Sequence, residues 1–75
     1  MIKQLSQEMY EALIWKYRAE IAEAKATINI YFNRPVGIGE HPQHLEEIDK
    51  FLEKIASAED KINALQRNFG EHAKV

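Results

Sequence analysis

The chain has 75 residues, no cysteine and a formal net charge of −2. One domain at most fits this length, and a core this small supplies only a few kcal/mol, so close helix packing, oligomerisation or both must supply the rest. The missing cysteines exclude a disulfide or thiolate–metal staple, the near-neutral charge argues against nucleic acid as a partner, and no apolar run or N-terminal h-region points to a membrane span or signal peptide. A soluble, cytoplasmic protein is expected.

The first element is a run free of Gly and Pro that predicts a helix over about 2–32, with Ser6 as an alternative cap. One apolar stripe reads Tyr10, Ile14, Tyr17, Ile21, Ala24, Ile28, Tyr31. Its steps alternate four and three, which is a coiled-coil seam. The opposite side carries a second stripe: Ile2, Leu5, Met9, Ala12, Ala19, Ala26 and Ile30, with Trp15 and Ala22 beside it. A scattered surface Leu or Trp means nothing, but a stripe the length of a helix marks an interface. These nine residues are the expected oligomer interface, and a C2 dimer of four helices is the simplest closed form. Lys16 and Glu23 interrupt the stripe. In an antiparallel dimer Lys16 is expected near the twofold axis, facing its own copy.

A turn over 33–41 follows, where the prolines and paired glycines cluster: Asn33-Arg34-Pro35-Val36-Gly37-Ile38-Gly39-Glu40-His41-Pro42. Pro35 pushes Arg34 out of the helical region, which makes Asn33 a candidate left-handed cap. Gly37 and Gly39 supply the angles of a reversal. Pro42 suits the first position of a helix, where its missing N–H costs nothing. The second helix is predicted over about 42–69, with Gly70 as its stop and 70–75 as a short frayed tail. Glu40, Glu46 and Glu47 place negative charge at its positive end.

The seam of the second helix reads Ile48, Phe51, Ile55, Ala58, Ile62, Leu65, Phe69. In an antiparallel hairpin folded about residue 38, partners have numbers adding to about 75 or 76. That sets Ala24 against Phe51 and Tyr17 against Ala58, small against aromatic twice and in opposite senses, which is how a core fills without voids. The same register brings Arg18 near Glu59 and Glu20 near Lys54, both with the right signs. The predicted fold is all-α, a single two-helix antiparallel hairpin, coiled-coil-like, assembling into a helical bundle as an oligomer.

No catalytic constellation is visible, and a two-helix hairpin offers no dry pocket in which acid and base groups converge. Gly37-Ile38-Gly39 superficially matches a dinucleotide loop, but the preceding strand is missing and Pro42 stands where the third glycine belongs. A structural turn explains it better. A milder reading keeps Arg34, Gly37, Gly39, His41 and His44 as a candidate anion-binding group, with the free N–H groups of the helix start. His41 and His44 lie one turn apart, yet with Glu40 and Glu47 they fall short of a metal motif. His44 closing the core opposite Tyr31 is the preferred reading. Neither cofactor nor metal is expected.

The segment Ile21-Ala22-Glu23-Ala24-Lys25-Ala26, the Pro35-Val36-Gly37-Ile38-Gly39-Glu40-His41-Pro42 turn and the Lys/Glu-rich second helix resemble small uncharacterised helical-hairpin proteins of tailed bacteriophages. The resemblance covers most of the chain, and the Gly-Ile-Gly-Glu-His-Pro turn is its distinctive part. It implies action by binding: to virion components, to host proteins, or as oligomers that sequester nucleotide signals of host defence. The expected function is therefore non-enzymatic self-association and protein–protein contact. The alternative is an oligomeric binder of a small anion such as a nucleotide.

Overall fold

The computed structural model describes residues 5–33 and 43–73. Two long helices account for nearly all of them: α1, Leu5–Asn33, and α2, Gln43–Phe69. A four-residue 3₁₀ turn, Gly70–Ala73, follows α2 directly. The helices pack along each other as a hairpin, and no strand occurs among the described residues. The molecule measures 57 × 21 × 13 Å, with a radius of gyration of 16.8 Å. A compact globule of this length would have a radius of gyration of about 11 Å. The difference is that of a rod only two helices wide.

Such a rod buries little. Tyr10, Ile14, Ala24, Ile28 and Ala58 are the buried core, and all five belong to the predicted seams. Tyr17, Ile21, Tyr31, Ile48, Phe51, Ile55, Ile62 and Leu65 are half-buried, since two helices can cover each other on one side only. Ala24 and Ala58 are the most enclosed, at 2% and 1% exposure. Small side chains at these points let the facing residue lie over the backbone.

The register is visible in two contacts. The Tyr31 and His44 rings lie 5.4 Å apart, tilted at 57°. Lys61 sets its ammonium 5.6 Å from the Tyr17 ring, one turn beyond Ala58. Both fit the predicted pairing.

Three local expectations are corrected. Asn33 is the last helical residue rather than a left-handed cap: its Nδ2 donates to the Asn29 carbonyl at 2.8 Å, which holds it inside the final turn. Phe69 closes the α2 seam by spacing but is 53% exposed. Its register partners are the polar Ser6 and Gln7, which do not cover its ring. Residues 70–73 are not a frayed tail, because the 3₁₀ turn folds back onto both helices. Gly70 stands where α2 stops, as expected, although its backbone avoids the left-handed region and nothing lies within 4 Å of where a Cβ would stand, so glycine is not sterically required there.

The expected ion pairs are not formed either. Arg18 lies over the Trp15 ring at 5.6 Å, and Lys54 over Phe51 at 5.6 Å. Each cation turns to an aromatic three residues earlier on its own helix, where stacking costs less ordering than reaching across the seam. The close pairs are local: Lys50 with Glu47 at 3.5 Å, and the His72 imidazole 3.6 Å from the Glu71 carboxylate.

Candidate functional site

The two helices differ in what they leave uncovered. Outside its seam, α2 is polar or charged apart from Leu45, Leu52, Ala56 and Ala64. On α1, apolar residues continue around the far side. At about 100° per residue, Leu5, Ala12, Ala19, Ala26 and Ile30 lie opposite the buried Tyr10, Ile14, Ala24 and Ile28. All of them are exposed, as are Met9, Trp15 and Ala22 on the shoulders. Among the large ones, Leu5, Met9, Trp15 and Ile30 have 60–70% of their surface in water. Ile2, the ninth expected interface residue, lies outside the described residues.

The face has a consistent internal layout. Three alanines, Ala12, Ala19 and Ala26, run along its centre at heptad spacing. Larger residues stand on its edges. Trp15 is held on one shoulder by the guanidinium of Arg18. Lys16 and Glu23 stand on the other, both exposed. Lys16 places its ammonium 5.9 Å from the ring of Tyr17 on its own helix. Neither Lys16 nor Glu23 makes an ion pair among the described residues.

Sequence reasoning missed a second apolar feature. At the open end of the hairpin, Met9, Tyr10 and Leu13 of α1, Leu65 and Phe69 of α2, and His72 of the 3₁₀ turn line a groove of about 280 Å³. Leu13 belongs to neither stripe, and the 3₁₀ turn that brings in His72 was read as frayed. The signal available was that Met9 and Leu13 are spaced by four, so they flank the seam on one side. Nearer the middle of the hairpin the same side becomes a wider groove of about 620 Å³. Its lining is charged: Glu20 and, at the rim towards the outer face, Glu23 of α1, with Lys50, Glu53, Lys54, Ser57 and Lys61 of α2.

Of the candidate anion-binding group, Arg34, Gly37, Gly39 and His41 lie outside the described residues. His44 is half-buried against Tyr31, the core-closing position expected of it. Among the described residues no three His, Asp or Glu side chains gather where they could hold a metal ion. No described helix is long and apolar enough to cross a membrane.

The fold and this face together define a class: a helical hairpin with one helix apolar on both sides. Comparison with models of known protein families, with characterised proteins and with solved structures gives no match to the chain.

Proposed function

We propose that the protein is a non-enzymatic helical hairpin that works through self-association and protein–protein contact, with the outer face of α1 as its interface. One observation carries this reading. Leu5, Met9, Trp15 and Ile30 stand mostly in water on one side of α1, while only five side chains are buried among the described residues. Covering a large apolar side chain is worth roughly 1.5–3 kcal/mol. Several of them, contributed twice across a symmetric contact, offset the cost of association, which runs to about 4–15 kcal/mol. A dimer built this way is a four-helix assembly, consistent with a chain too short to stabilise itself by one small core.

Sedimentation velocity over a concentration series tests it. The expected result is a dimer or larger species at micromolar concentration. A monomer throughout that range, with the helices intact by circular dichroism, would leave the face for a different partner, such as a host or virion protein, and would overturn the self-association. The anion-binding alternative has its own signature: a rise in melting temperature with nucleotide or phosphate that Arg34→Ala removes.

A further inference from the structure

The outer face of α1 also carries information about how a second copy would sit on it. We infer that two copies pair antiparallel through α1 about a twofold axis at Ala19, with Lys16 of each protomer facing the partner's Glu23. This rests on the self-association proposed above and specifies its geometry.

A twofold axis perpendicular to two antiparallel helices brings each shoulder of one helix against the same shoulder of the other. Lys16 and Glu23 are seven residues apart and so share a shoulder. With Glu8 near the N-terminal end they are the charged residues on this face; Lys16 and Glu23 have opposite signs, and both are exposed without an ion pair among the described residues. Their midpoint falls between Ala19 and Glu20. An axis there meets each charge with its opposite, twice by symmetry.

The apolar residues choose the same centre independently. Trp15 and Ala22 share the other shoulder, again seven apart, with their midpoint between Arg18 and Ala19. An axis at Ala19 therefore lays each Trp15 over the partner's Ala22, the largest side chain on one of the smallest. It also sets Ala12 against the partner's Ala26, and Ala19 against its own copy. Three small contacts in a row let the two backbones approach closely, towards the lower end of the ~8–10 Å range of helix separations. At the ends, Met9 falls beside the partner's Ile30. An axis at Lys16 does worse: two ammonium groups meet at the centre, and Met9 falls on the partner's Glu23.

The test exploits the absence of native cysteine. In the full-length chain, Ala19→Cys is expected to form an intermolecular disulfide readily under mild oxidation, because Cα atoms across the axis come within bridging range. Ala12→Cys alone is expected not to, since the two positions are then separated by about 21 Å along the axis. A mixture of Ala12→Cys and Ala26→Cys chains should give the heterodimer. Charge reversal completes the set. Lys16→Glu and Glu23→Lys are each expected to weaken association by about tenfold or more, and the double variant to restore it. Circular dichroism confirms that each variant remains helical.

The outcomes separate the two levels of the proposal. A wild-type chain that does not associate overturns both. A chain that associates but forms no bridge at position 19, or whose double charge reversal fails to restore association, overturns the Ala19 register and leaves self-association standing. A bridge formed by Ala12→Cys alone indicates parallel pairing and overturns it as well.

Discussion

Ala58 has 1% of its surface exposed, at the point where Tyr17 should cross the seam. A methyl group is all the space there admits. Ala58→Leu adds three carbons to a closed contact and is expected to cost about 1–3 kcal/mol, read as a lower midpoint in urea unfolding. An unchanged midpoint would mean the helices separate there at no cost. Gly70 is the opposite case. Its backbone lies outside the left-handed region and a Cβ would meet open space. Gly70→Ala is expected to stabilise by about 0.4–1 kcal/mol, chiefly by restricting the unfolded chain. A loss of stability in the same assay would show that the turn needs a conformation only glycine tolerates.

Elements α1 and α2 were legible because each seam is long, unbroken and free of Gly and Pro. The register was legible because large and small residues alternate along both seams in a way that only one pairing satisfies. Replacing Tyr17→Ala together with Ala58→Tyr should be milder than the sum of the two single changes. Simple additivity in thermal unfolding would place the two residues apart and sink the register. What the sequence did not disclose is finer. Arg18 could reach Glu59 across the seam or Trp15 on its own helix, and both partners are chemically sound. Geometry decides for the ring three residues away. Removing the carboxylate with Glu59→Gln should therefore move stability by no more than about 0.5 kcal/mol. A larger loss would mean that the Arg18–Glu59 pair forms in solution. The segment after α2 was misread for a related reason. Gly70 signals a helix stop, but composition alone does not say that the next three residues turn back onto α1. Of the candidate site, the outer stripe was legible from spacing. The open-end groove was not, because it is assembled from three elements, none apolar enough there to stand out.

For the whole molecule, a two-helix rod 57 Å long and 13 Å thick has too little interior to depend on. If association through α1 supplies the missing stability, folding and assembly are linked by mass action, and the melting temperature must depend on protein concentration. A clear rise is expected over a hundredfold increase in concentration. Flat melting behaviour, with an associated species present, would mean the protomer is stable alone. Ala19→Glu should remove the dependence, because it puts two carboxylates together at the centre of the face while leaving the buried side chains untouched. That variant is expected to be helical, monomeric and of lower melting temperature.

Trp15 is the chain's single tryptophan, and it sits on the proposed interface with Arg18 stacked beside it. The molecule thus carries its own optical reporter, and no label is needed. An indole in water emits at longer wavelength than one shielded by protein. The emission maximum of the intact, unmodified chain should therefore move to the blue as concentration rises, in step with the sedimentation data. In Ala19→Glu it should remain red at every concentration.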